Sequence, residues 1–288
     1  MERAKLFVIL AAAAACSGIV AQDKPTLYVV PYAHLDTQWR WAYPQVIREF
    51  LWNTMEDNFK LFAKYPNYKF NFGGSRRFEM MKEYFPAEYK KVVGYVKSGR
   101  WFPAPASVDE TEVNIISGES VIRNILYGNE YYKKEFGVMS SEFMRPDSFG
   151  FPYSLPTLLS HAGLKGFSTQ KLSWGSAVGI PFNVGVWVGP DGSEILAALN
   201  PTSYGSTVDG DLSQDPKWLA RVQADPIPID YRYYGTGDVG GAPKETSVAN
   251  AEKSVLGSGP LKIIQGAADA MFKNLTPAQI AKLPRYRG

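Results

Sequence analysis

The feature that most restricts what this chain can fold into is an alternation of short β-rich runs with amphipathic helical patterns. Thr26-Leu27-Tyr28-Val29-Val30-Pro31 is an apolar run of strand length. From Pro44 the apolar residues switch to near i, i+3, i+4 spacing through Ile47, Phe50, Leu51, Met55, Phe59 and Phe62, and Pro66 closes that helix. Residues 68–72 read as a second strand, followed by a charged helix to Lys97 that Ser98-Gly99 ends. Residues 119–136 predict a helix with Val121, Ile122, Ile125, Leu126 and Tyr132 on one face and Gly137 as its stop. Phe143-Met144 is a short strand, and Ser154-Leu155-Pro156 opens a helix ended by Gly163. This alternation predicts an α/β domain with a mainly parallel sheet. Later, residues 183–188 and 194–199 flank Gly189-Pro190-Asp191-Gly192, a hairpin signature. Residues 201–250 are loop-rich and give no clear element, residues 274–281 read as a helix with Thr276 at its N-cap, and 283–288 show no closing element.

Composition narrows the function classes. A net charge of +3 over 288 residues gives no nucleic-acid footprint. Aromatics make up 14% of the chain, enough to fill a core or to offer flat apolar platforms to sugars. Arg3 and Lys5 precede an apolar run from Leu6 to Ala15, too short for the roughly 20 residues of a membrane span and of secretory-signal length. Residues 1–21 are therefore expected to be a signal peptide and the protein to be exported, periplasmic or extracellular. Ala13-Ala14-Ala15-Cys16 also allows a lipobox, with Cys16 acylated as a surface anchor. Cys16 is the only cysteine, so any metal in the remaining chain must be held by nitrogen and oxygen ligands.

Three segments carry candidate chemistry. Ala33-His34-Leu35-Asp36-Thr37-Gln38-Trp39 follows the first strand directly, and a period of two places His34 and Asp36 on one face at its C-terminal end. α/β folds bind ligands at that end. An imidazole and a carboxylate there suit Zn²⁺, and equally a plain His–Asp hydrogen bond. Arg145-Pro146-Asp147-Ser148-Phe149-Gly150 follows the short strand; Asp147 could be a ligand, a nucleophile or a helix cap. In Gly235-Thr236-Gly237-Asp238-Val239-Gly240-Gly241, glycines free Asp238 to project, although a flexible turn accounts for the composition too. No phosphate-binding fingerprint is present. His161 reads as a packed or capping residue on its helix.

Together these segments resemble the N-terminal domain of glycoside hydrolase family 38, the class II α-mannosidases. His34-Leu35-Asp36-Thr37-Gln38-Trp39 resembles the family's His-x-Asp-x-x-Trp metal motif. Gly99-Arg100-Trp101 with Glu110, Glu112, Asn114 and Gly118-Glu119-Ser120 resembles its second signature, and Arg145 to Gly150 with Leu155-Pro156 its nucleophile segment. Gln170-Lys171-Leu172-Ser173-Trp174 and Gly235 to Pro243 fall in the expected order. The resemblance implies a (β/α)7-barrel-like glycoside hydrolase/deacetylase fold with a mainly parallel sheet, incomplete at the C-terminus, over residues 22–288. It implies retaining, metal-assisted hydrolysis of terminal α-D-mannosidic bonds in oligosaccharides or glycans. His34, Asp36 and Asp147 would bind Zn²⁺ or another divalent ion. Asp147 would be the nucleophile that forms a covalent glycosyl-aspartate, Asp238 the general acid/base, and Trp39 and Trp101 the sugar contacts.

Tyr32 stands where many members have another His, and the family's remaining ligand His is expected downstream, since His34 and His161 are the two histidines here. The chain thus reads as truncated, its activity alone in question. Two rivals remain. A metal-dependent polysaccharide deacetylase would call for a His-x-x-x-His pair that the chain lacks, and a non-catalytic sugar-binding domain would have no need of both Asp147 and Asp238.

Overall fold

The apolar run at 26–31 becomes β1 (Thr26–Ala33), buried along its whole length in a computed structural model that describes residues 24–288. The leader at 1–21 and Cys16 lie outside the described residues. Period-two alternation splits β1 between two layers. Leu27, Val29 and Ala33 face a helix-covered cluster, whereas Tyr28, Val30 and Tyr32 face a second cluster inside the sheet's curve.

The chain then runs through a short helix α1 (Tyr43–Gln45), a wide helical turn at Val46–Leu51, α2 (Trp52–Lys64), β2 (Phe70–Phe72), α3 (Ser75–Tyr84), α4 (Pro86–Lys97) and β3 (Trp101–Pro103). Next come α5 (Gly118–Phe136), β4 (Glu142–Met144), α6 (Leu155–His161), β5 (Gly166–Ser168) and the hairpin β6 (Val184–Val188) and β7 (Glu194–Ala198). The remainder holds α7 (Pro216–Ala224), β8 (Ile229–Thr236), α8 (Glu245–Leu256), β9 (Lys262–Gln265), α9 (Ala270–Asn274), α10 (Pro277–Ile280) and β10 (Arg285–Arg287).

One sheet has the order β3-β2-β1-β8, with β9 also on β1, and the other β10-β6-β7-β5-β4. All pairings are parallel except the β6–β7 hairpin. Backbone bonds beyond the strand ends join the two sheets. Ala106 N–H donates to Glu142 O (3.0 Å), and on the other side Tyr233 N–H donates to Pro201 O (2.6 Å) and Gly235 N–H to Ser206 O (3.1 Å). β1, β2, β3, β4, β5, β7 and β8 thereby form a closed ring, the expected barrel-like α/β architecture. Among the described residues no helix is long and apolar enough to cross a membrane.

Several expectations are corrected. The single charged helix before Lys97 is two, broken where Phe85 leaves helical geometry (φ −134°, ψ 57°) ahead of Pro86; the residue before proline is sterically pushed out of the α region. On α5, Val121, Ile125 and Tyr132 are buried as the periodicity predicts, but Leu126 is exposed, and Gly128 and Asn129 complete the buried face. Gly128 is buried because a Cβ there would meet the Ser107 backbone at 2.2 Å. Residues 201–250, loop-rich in sequence and without assigned elements, contain α7, β8 and the first half of α8. The C-terminal residues close on β6 as β10. Thr276 does cap its helix, in a reciprocal capping box with Gln279.

Candidate active site

The site is assembled at the C-terminal mouth of the barrel, where β1 and β8 run on past their last paired residues. His34 N–H donates to Thr236 O and Asp36 N–H to Asp238 O (both 2.9 Å), and Gly240 N–H donates back to His34 O (2.8 Å). Leu35 and Val239 pair as an isolated antiparallel bridge. These main-chain bonds place His34, Asp36 and Asp238 side by side, with one ligand atom from each within 4.8 Å of the others. The side-chain geometry is thus carried by backbone that already belongs to the barrel.

His34 is 1% exposed. Its Nδ1 lies 3.3 Å from Glu110 Oε1 and 3.4 Å from the Tyr32 hydroxyl, which itself donates to Glu110 Oε1 at 2.9 Å. Its Nε2 has no hydrogen-bond partner, although Asp36 Oδ1 stands at 3.4 Å and Asp147 Oδ2 at 3.6 Å. A buried imidazole nitrogen facing carboxylates without hydrogen-bond geometry fits a cation between them. The opposite nitrogen held by a carboxylate is the usual support of a metal-bound histidine. Burial disfavours the charged imidazolium, but Glu110 and Asp36 outweigh it and lift the His34 pKa to about 10. A cation binding at Nε2 therefore competes with a proton. Burial pushes Glu110 upward too, and is overcome by His34, Arg77 and Arg145, which hold it at about 2. The donor set of imidazole and carboxylates suits a borderline or hard divalent ion.

Asp147 follows β4, which Arg145 N–H extends by donating to Ser168 O (2.8 Å). It caps no helix: α6 begins eight residues later behind Ser154. Asp147 Oδ1 is ion-paired with the ammonium of Lys171, which is itself 7% exposed and stacks over Trp174 (3.4 Å) and Phe149 (4.3 Å). Tyr204, beyond β7, donates to Asp238 Oδ1 at 2.7 Å, and its hydroxyl is 3.4 Å from Asp147 Oδ1. Burial and then Asp238 push the Tyr204 phenol upward, so it stays a neutral donor. The cluster that meets around His34 therefore includes Asp238, with Asp147 at its edge and anchored by Lys171, whereas the sequence paired His34 and Asp36 with Asp147 alone. The reason is the main-chain pairing of 34–36 with 236–240.

His34, Asp36, Trp39, Glu110, Asp147, Lys171, Tyr204 and Asp238 line one cavity of about 400 Å³ with Phe149 and Trp174 on its wall. Trp39 is 55% exposed there, with the Arg40 guanidinium 4.0 Å over its ring. Trp101 is a correction: it is wholly buried on β3 against Phe59, Phe62, Phe70 and Phe72, and does not line the cavity around His34. Its ring belongs to the core, because the strand alternation turns it toward α2 and not toward the barrel mouth. His161 is exposed and paired with Asp191 Oδ2 at 3.2 Å, far from the packed role expected of it. Sequence reasoning gave no roles to Glu110, Lys171, Tyr204, Phe149 and Trp174. Glu110 and Lys171 lie inside segments it singled out, but Tyr204 lies in a loop-rich stretch, with no local signal.

A closed, mainly parallel barrel with carboxylates around the unpartnered Nε2 of a buried imidazole at the C-terminal strand ends defines a barrel enzyme with a carboxylate–imidazole centre. The chain belongs to glycosyl hydrolase family 38: the family's N-terminal domain model matches residues 24–287. It is 29% identical over 273 residues to alpha-mannosidase G of Dictyostelium discoideum, covering 93% of this chain and 24% of that protein. It is 30% identical over 229 residues to human alpha-mannosidase 2C1, covering 78% of this chain and 22% of that protein. The chain thus spans under a quarter of these relatives' length. An alpha-mannosidase from Enterococcus faecalis V583 shares the fold at a TM-score of 0.73 and 20% identity, over 92% of this chain and 30% of that one.

Proposed function

We propose that this domain hydrolyses terminal α-D-mannosidic bonds of oligosaccharides or glycans with retention of configuration. The observation that carries the reading is a single hydroxyl, that of Tyr204, in contact with both Asp147 and Asp238 beside the unpartnered His34 Nε2. Two carboxyls held one oxygen atom apart suit retaining hydrolysis, which needs them about 5–5.5 Å apart. Asp147 attacks the anomeric carbon as the C–O bond to the leaving group breaks; the bonding pair goes to the glycosidic oxygen, which takes the proton of Asp238. Asp238, now a carboxylate, deprotonates a water that displaces Asp147 and restores both groups. Lys171 pairs with Asp147 Oδ1 and so fixes the orientation of the attacking carboxylate. Trp39 gives the sugar a flat apolar face.

His34 and Asp36, with Asp147 Oδ2 or Asp238, would hold the divalent ion, Zn²⁺ by ligand type, which would orient sugar hydroxyls as a Lewis acid. A carboxyl bound to a cation cannot store a proton, so Asp238 serves as acid only if it is left off the ion. Export through residues 1–21 is a separate proposal, checked by N-terminal sequencing of the secreted product.

The test is hydrolysis of an aryl α-mannoside with added Zn²⁺, by this chain with and without any sequence its gene encodes beyond Gly288. Cleavage with retained anomeric configuration supports the reading. Silence of both forms with metal bound would refute it.

A further inference from the structure

We propose that Tyr204 is a positioning residue for the reacting carboxyls, one that fixes which oxygen of Asp238 carries the transferable proton and holds that group at working distance from Asp147. The proposal rests on the glycosidase reading above. A phenol has one proton to donate. The 2.7 Å contact to Asp238 Oδ1 takes it, and the 3.4 Å contact to Asp147 Oδ1 is too long to compete. Oδ1 of Asp238 is thereby engaged, leaving Oδ2 to hold the proton destined for the leaving oxygen. On Asp147, Lys171 pairs with Oδ1, while Oδ2 faces His34 Nε2 at 3.6 Å. Each carboxyl is thus gripped at one oxygen by a neighbouring side chain.

Tyr204 is itself held from three sides. Its N–H donates to Oε1 of buried Gln170 at 2.8 Å. Its ring lies against the His34 imidazole, centroids 4.9 Å apart at 31°. Gly237, next to Asp238, makes room for it, since a Cβ there would stand 2.4 Å from Tyr204 Cε2. With its backbone held by Gln170 and its ring packed between His34 and Gly237, Tyr204 can transmit position to Asp238 because its rotamer is not free.

The experiment compares Tyr204→Phe with the unaltered protein, both loaded with Zn²⁺, on two α-mannosides that differ only in leaving group. Dinitrophenolate departs without a proton, whereas phenolate needs one. The phenylalanine keeps the ring against His34 and Gly237, so metal content and melting temperature should stay unchanged. kcat/KM for the phenyl mannoside should fall about 100-fold and that for the dinitrophenyl mannoside by less than about 5-fold, the gap that loss of a placed general acid produces. Equal losses on both substrates, or a loss that tracks lowered metal content, would overturn the positioning role. Failure of the unaltered, metal-loaded protein on both substrates, with and without any sequence its gene encodes beyond Gly288, overturns the glycosidase reading and this proposal with it.

Discussion

The two sides of the barrel mouth are built differently. On the β1–β8 side, the residues around His34 are fastened by main-chain bonds to 236–240, and His34 itself is 1% exposed. On the β4–β5 side, Asp147 and Lys171 sit beneath an open rim where Phe149 is 68% and Trp174 66% exposed. The first side fixes its charged groups through the backbone, with His34 buried beside a partly exposed Asp36. The second offers adaptable apolar faces beside a cavity of about 460 Å³ lined by Phe151, Trp187 and Tyr286. Charge fastened by main-chain bonds is thus concentrated on one half of the ring, and the open rim of Phe149 and Trp174 lies on the other.

The sharpest way to break that division is to ask which carboxylate holds the ion. Asp36→Asn should weaken Zn²⁺ binding by more than the about 10–100-fold typical of losing an outer partner. Asp238→Asn should leave Zn²⁺ binding nearly unchanged while lowering kcat/KM for a phenyl mannoside about 10²–10⁴-fold, as loss of a general acid does. Calorimetric titration with the metal and steady-state kinetics decide it: if Asp238→Asn loses the ion as Asp36→Asn does, Asp238 is a ligand and the acid lies elsewhere.

A second comparison separates rim from core aromatics. Trp101→Ala should destabilise the fold by about 3–5 kcal/mol, the range for a buried tryptophan. Trp174→Ala should barely change the melting temperature yet raise KM by up to about tenfold, the ~1.5 kcal/mol of one aromatic contact. A KM unchanged by the Trp174 substitution would remove the rim from substrate binding.

The smallest effect probes the interior below the rim. Glu142 on β4 is fully buried, and burial raises its pKa from 4.5 to about 8 against the pull of Ser168 and Arg145. The folded state therefore keeps a proton that the unfolded chain gives up. The stability tied to it is complete below about 4.5 and is lost as pH rises through about 8. Glu142→Gln should flatten that slope in melting curves taken at about pH 5, 7 and 9. An identical slope in the variant would show that other groups set it.

What could be read in advance follows local physics. β1 was legible because its apolar run is uninterrupted. β8, its partner along its full length, was missed because Asp230 and Arg232 break the apolar pattern of Ile229–Thr236. Those charges are tolerated inside because Asp230 accepts from the Arg221 guanidinium (2.5 Å) and Arg232 donates to Thr207 O (2.6 Å), partners that only the folded chain supplies. Trp101 was misplaced for a related reason: tryptophan in a sugar-handling pattern says nothing about which way its strand will turn it.

The sequence by itself determined the strand–helix alternation, the burial of β1, and His34, Asp36 and Asp147 directly after their strands. Each depends on neighbours a few residues away. Tertiary structure alone decided that Glu110 would brace His34, that Lys171 would hold Asp147, and that Tyr204 would touch both Asp147 and Asp238. Those contacts span 76, 24 and 34–57 residues of chain, and they arise only when backbone bonds such as Tyr233 N–H to Pro201 O close the ring and bring the strand ends to one mouth.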